Sequence, residues 1–130
     1  MSYTMETQTG LLLVKARLWH RGTTYDLVLS LNTGTSQTII IPAYLDSLGI
    51  TEAERKPLKV MMASYSESAT ETRINRLEAL GFTAMHFPVA CKPLPNYLMQ
   101  HCDGILGLDF FKAVKKRLSL DFMSSQITLS

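Results

Sequence analysis

Leu27-Val28-Leu29-Ser30-Leu31-Asn32-Thr33-Gly34-Thr35-Ser36 runs from an apolar stretch into a short polar loop, and Gln37-Thr38-Ile39-Ile40-Ile41-Pro42 turns straight back into a β-branched run. Leu27, Leu29 and Leu31 alternate with Asp26, Val28 and Ser30, which is the period of a strand. Thr38 to Ile41 favours a second strand, and Pro42, with no N–H to give a ladder, stops it. Ala43 to Leu48 then reads as a short helix, with Gly49 as its left-handed terminator. The Asn-Thr-Gly loop is therefore predicted to sit between extended segments on both sides.

Working outward, Leu12 to Trp19 pairs naturally with the strand before the loop, since His20-Arg21-Gly22-Thr23 supplies a turn. Thr51 to Pro57 is charged and loop-like. Leu58 to Met62 and Glu71 to Leu80 read as strands separated by Ala63 to Ala69, a small, polar stretch expected to stand out from the core. Thr83 to Ala90 is a further strand, and Pro88 within it argues for an edge or a bulge. Lys92 to Asn96, with two prolines, is a connection. Gly104-Ile105-Leu106-Gly107-Leu108-Asp109 reads as a buried strand whose glycines let backbones approach closely, followed by a short helix from Phe110 to Val114. Leu118 to Phe122 and Ile127 to Leu129 close the chain as a hairpin. Apolar strand, glycine-containing loop and short helix occur twice, at Leu27 to Leu48 and at Ile105 to Val114, which suggests a pseudo-symmetric fold.

Composition narrows the function classes. The 130 residues are enough for one domain with a real core, so 1–130 is expected to be a single domain. Hydrophobic content of 46% with 18% charged residues argues against disorder. No apolar run approaches the roughly 18 residues of a spanning helix, and Met1 to Gly10 has no basic-then-apolar leader, so a soluble, cytoplasmic protein without a membrane segment is expected. A net charge of +2 does not call for a nucleic-acid partner. Its one basic cluster, Lys112, Lys115, Lys116 and Arg117, reads as a solvated helix end. Cys91 and Cys102 are expected as buried thiols; with His86 and His101 they lack metal-ligand spacing, so neither a metal nor a cofactor is expected.

Together these residues resemble the retropepsin-like aspartic proteases, the single-lobe relatives of pepsin. An N-terminal hairpin, LVLSL into NTGTS, the IIIPAYLDSLGI strand and helix, a flap-like hairpin spanning Met61 to Thr72, DGILGLDFF and a closing hairpin follow in the family's order. The resemblance implies an all-β fold, a closed acid-protease barrel with one or two short helices, assembled as a homodimer. It also implies an aspartic endopeptidase acting on peptide or protein substrates. Two carboxyls about 3 Å apart share one proton and so supply at once a base toward water and an acid toward the peptide carbonyl, which is how such enzymes cut peptides. One loop per chain is half a site, which is why a two-fold dimer is required.

By the same resemblance Asn32 stands at the catalytic aspartate's position, Thr33 reaches across the axis to the partner loop, and Gly34 lets the backbone approach. Thr35 is expected to donate to the outer carboxylate oxygen, and Ser36 and Gln37 to meet substrate backbone or neighbouring loops. Ala63, Ser64 and Tyr65 at the flap tip are expected to touch substrate, Tyr65 by covering it. Asp109 is expected to cap the short helix. A carboxamide at Asn32 can neither take up a proton usefully nor donate one as an acid, so this chain is expected to be inactive. The intact loop around Asn32 favours an Asp→Asn change made in an active parent. The alternative is a non-catalytic peptide-binding or scaffolding dimer with Asn32 native.

Overall fold

The computed structural model describes residues 2–4, 10–62 and 64–130. Among them, six strands close on themselves. β2 (Leu13–His20) and β3 (Thr23–Leu31) form the first hairpin, with Leu13 opposite Ser30 and His20 opposite Thr23. Arg21 and Gly22 both have positive φ at its turn, 48° and 80°, the geometry that follows the twist of a two-residue hairpin. β3 lies parallel to β8 (Gly104–Leu106); β8 pairs antiparallel with the two-residue β4 (Ile39–Ile40), and β4 runs parallel to β7 (Phe82–Cys91). β7 pairs with β6 (Ser66–Ala79), and β6 returns to β2 through Ala79 opposite Ala16 and Arg76 opposite Trp19. That last pairing makes the sheet a closed barrel with few free edges.

β6 is long enough to serve two partners on one edge. Its second half closes the barrel, while Ser66 to Glu71 pairs with β5 (Lys56–Met61), an outlying hairpin strand. The segment expected to separate the two strands, Ala63 to Ala69, is thus part of β6 from Ser66 onward. Ser66 to Ala69 are strand, because backbone pairing opposite Leu58 to Met61 does not depend on side-chain size. A second, three-stranded sheet joins β1 (Ser2–Thr4), β10 (Gln126–Leu129) and β9 (Leu118–Asp121).

Both faces of the central strands are covered, which explains the unbroken apolar runs. Ile40, Leu106, Leu29 and Leu31 join the main core with Phe87 and Phe110; Ile39 and Ile105, one residue away, face a second cluster with Val60, Ala90, Leu94 and Cys102. Successive side chains of a strand point to opposite sides, so two clusters require apolar residues at consecutive positions. Phe110 packs edge-on against both Phe87 and Phe111, at centroid separations of 6.0 and 5.7 Å.

Three short α-helices are present among the described residues, against the one or two expected, besides a single 3-10 turn at Glu52–Glu54. α1 (Pro42–Ser47) and α3 (Leu108–Val114) stand where they were read, α3 starting two residues earlier, and Gly49 has the expected positive φ. The unexpected one, α2 (Asn96–Met99), begins at Pro95, whose carbonyl accepts from Leu98 and Met99. Pro95, one of the two prolines that suggested a bare connection, is instead the N-cap of this helix. Pro88 lies in β7 opposite Arg73, and the ladder is interrupted nearby: His86 has φ 48°, and the Asn75 N–H leaves the ladder for Nδ1 of His20, at 3.2 Å.

Candidate active site

β3 delivers its last residue, Leu31, into the core and Asn32 into solvent. Asn32, Thr33 and Gly34 are exposed together at the end of the strand. The Asn32 N–H donates to the Leu106 carbonyl at 3.1 Å, so the loop begins under the control of β8. Within the loop the Asn32 Oδ1 accepts from the Gly34 N–H at 2.9 Å, and the Asn32 carbonyl accepts from the Thr35 N–H at 3.3 Å. A side-chain oxygen at position 32 is part of the turn itself. An aspartate carboxylate would accept the same N–H, a bond that favours the ionised form.

Thr35 turns the other way. It is wholly buried, and its hydroxyl has no hydrogen-bond partner among the described residues; the Asn32 side chain receives Gly34 instead. The cause is the backbone clamp at this residue, where the Thr35 carbonyl accepts from Leu108 N–H at 3.0 Å. The second motif is pressed against the loop just here. A Cβ on Gly107 would lie 2.6 Å from the Gln37 carbonyl carbon and 2.9 Å from the Thr35 oxygen, and one on Gly104 would lie 2.1 Å from the Ile39 oxygen. Only a residue without a side chain lets these backbones meet.

Two aspartates lock this arrangement, and neither is turned toward the loop's exposed face. The Asp109 Oδ1 accepts from both Thr38 N–H and Thr38 Oγ1, at 2.9 and 2.8 Å, and Thr38 Oγ1 in turn accepts from Gly107 N–H at 3.2 Å. Asp109 is therefore a strut between the two motifs, and the position before α3 belongs to Gly107, without a side-chain cap. Asp109 lies one residue inside the helix, in its first turn, where its carboxyl reaches Thr38 and also meets the N–H groups at the start of α3. Burial pushes the Asp109 carboxyl above its ordinary range, against the pull of the Thr38 donors and of the Phe110 and Asp109 N–H groups at the start of α3. Asp103 joins β3 to α1, accepting from Val28 N–H at 2.8 Å and from the Tyr44 hydroxyl at 2.7 Å. Burial first, and that carboxylate second, push Tyr44 up to about 12.

The hairpin of β5 and β6 comes down on the far side of the loop. Ser36 and Met61 exchange two hydrogen bonds: Ser36 N–H to the Met61 carbonyl at 3.1 Å, and Met61 N–H to Ser36 Oγ at 3.3 Å. Met62 N–H closes the tip on the Tyr65 carbonyl at 2.8 Å. Ser64 and Tyr65 are exposed there, and Ala63 lies outside the described residues. Gln37 Nε2 donates to Glu71 of β6 at 2.9 Å. The structure thus brings Ser36 to the flap strand, keeps Asn32 to Gly34 open, and withdraws Thr35. Sequence reading missed Met61, Thr38 and Glu71, which have no motif of their own; Thr38 could have been suspected as the hydroxyl next to a buried Asp.

Among the described residues no three His, Cys, Asp or Glu side chains gather as a metal cluster. Cys91 and Cys102 are buried and unpaired, and burial raises both thiols above their ordinary range. No helix among the described residues is long and apolar enough to cross a membrane.

Residues 23–113, which hold both motifs and the hairpin between them, match the family described as "gag-polyprotein putative aspartyl protease". The chain belongs to this aspartyl protease family. Among 204 matching chains of solved structures is a retropepsin-like aspartic protease from Rickettsia conorii. It superposes with a TM-score of 0.68 over 99% of this chain and 88% of that one, at 12% identity, and at that identity it speaks for the shared fold. No curated protein matches the chain. Within the family fold, the Asn32 loop, its Gly107 buttress and the β5–β6 hairpin are the elements that face one another around the open Asn-Thr-Gly turn.

Proposed function

We propose that this single-domain chain is an aspartic endopeptidase subunit that pairs as a homodimer, silenced by asparagine at the position of the catalytic acid. The observation that carries the reading is the exposed Asn32-Thr33-Gly34 turn. Its side-chain oxygen accepts from Gly34 N–H at 2.9 Å, while the second motif holds the loop at Leu106, Gly107 and Leu108. Aspartate has the same shape as asparagine and would use the same N–H. Two such carboxyls across a two-fold axis would share one proton, one acting as base toward water and the other as acid toward the carbonyl. Asn32 offers neither step, so the chain as it stands holds an extended peptide between hairpin and loop without cutting it. Thr33 is the loop's contact across the axis, and Ser36, Ser64 and Tyr65 are its contacts with peptide.

Asn32→Asp should create peptide cleavage sensitive to pepstatin. A folded, dimeric revertant with no cleavage at any pH from acid to neutral would overturn the proposal. A non-catalytic peptide-binding dimer with native asparagine has one point in its favour: the carboxamide oxygen is already satisfied within its own turn. An asparagine codon in the natural gene, with no gain of cleavage in the revertant, would select that reading.

A further inference from the structure

Lys92 immediately follows β7 and is only 9% exposed, an unusual place for a cation without a task. Its Nζ lies 2.5 Å from a carboxylate oxygen of Glu67 and donates to the Pro93 carbonyl at 3.2 Å. Glu67 stands near the start of β6, opposite Val60, and its carboxylate also accepts from the Tyr65 hydroxyl. The pairing of β6 with β7 ends at Thr70 opposite Cys91, so beyond that point the ladder no longer holds β6 to the barrel. Lys92 takes over where the ladder stops, reaching past its end to Glu67 and, through it, Tyr65. On the opposite strand, Val60 is buried in the second core cluster, and the next residue, Met61, is tied to Ser36. The tip is therefore tethered on both strands, by backbone to the candidate loop and by an ion pair to the segment after β7.

We infer that Lys92 is the positioning residue of this hairpin: through Glu67 it holds the tip down, so that in the free protein Met61 occupies the N–H and hydroxyl of Ser36 that an extended peptide would use. The inference rests on the proposal that peptide binds between hairpin and loop. Ser36 has one N–H, and it cannot donate to the Met61 carbonyl and to a peptide carbonyl at full strength at once. Peptide entry requires the Ser36–Met61 pair to open, and the Lys92–Glu67 pair sets how often it does.

The test is amide hydrogen exchange on the whole chain without peptide, comparing wild type with Lys92→Met and Lys92→Arg. Methionine fills the buried stem without a charge, while Glu67, partly exposed, turns to water. Exchange at Ser36 and Met61 should become about tenfold faster in Lys92→Met, with Ile74 and Leu77 unchanged, and should return to wild type in Lys92→Arg. Unchanged exchange at both amides in a folded Lys92→Met overturns the tether. If Lys92→Met loses protection at Ile74 and Leu77 as well, Glu67→Gln takes its place, with the same expectation and the same refuting result. In the Asn32→Asp background, pepstatin should associate faster with Lys92→Met than without it; equal association rates overturn the gating. Absence of pepstatin binding in both proteins would instead count against the protease reading, while the exchange result still decides the tether.

Discussion

Thr38→Val removes one oxygen from the strut between the two motifs and leaves the shape of the side chain intact. Thr38 is wholly buried, and its hydroxyl makes two bonds: it donates to Asp109 Oδ1 at 2.8 Å and accepts from Gly107 N–H at 3.2 Å. Valine is nearly isosteric, so no cavity term enters. Losing a hydroxyl donor to a carboxylate costs about 1.5–3 kcal/mol, and stranding the Gly107 N–H costs about 1–3 kcal/mol more. The sum, about 2.5–6 kcal/mol, is a large part of the roughly 5–15 kcal/mol by which a domain is stable. With about 2.1 cal/mol/K of unfolding entropy per residue, each kcal/mol shifts Tm by about 4 °C in a chain of this length, so a fall of at least about 10 °C is expected. The assay is urea unfolding at pH 7 followed by Trp19 fluorescence, with calorimetry for Tm. Thr38→Ser, which keeps the oxygen, should lose far less. A Thr38→Val protein within about 0.5 kcal/mol of wild type would refute the reasoning, because it would mean that the two bonds do not carry the junction.

Two further outcomes rest on the same junction. Gly107→Ala should destabilise by about 1–3 kcal/mol or more, since its Cβ must displace backbone at Gln37 and Thr35 and not a pliable side chain; urea unfolding checks this, and a neutral effect would contradict the close approach. Asp109→Asn should flatten the dependence of stability on pH. Burial raises the folded carboxyl above its unfolded value, so as pH rises past about 4 the unfolded chain ionises first and wild type loses stability until the folded group has ionised too. Asparagine keeps an acceptor for Thr38 and does not titrate, so wild type and variant should diverge over that window; parallel pH profiles would remove Asp109 from the account.

The alternation at Leu27 to Leu31, the β-branched run into Pro42 and the paired glycines of GILG made the barrel strands and the close approach legible in the linear chain. These are local signals: strand period, turn chemistry and the need for a missing Cβ each act within a few residues. The open Asn-Thr-Gly turn was legible for the same reason. Tertiary structure alone decided which side chains meet across long separations. Asp109 bonds Thr38 from the first turn of its own helix, Thr35 faces inward under Leu108, and Lys92 reaches Glu67 past the end of a ladder. A carboxyl, a hydroxyl or an ammonium carries no mark of its partner in the sequence, since each can bond many groups, and the barrel's closure selects the one left within 3 Å. Asn32 shows both sides. Its identity, and with it the loss of a titrating group, is written in the sequence, whereas the anchoring of its turn by Leu106, Gly107 and Leu108 exists only because β8 folds beside β3.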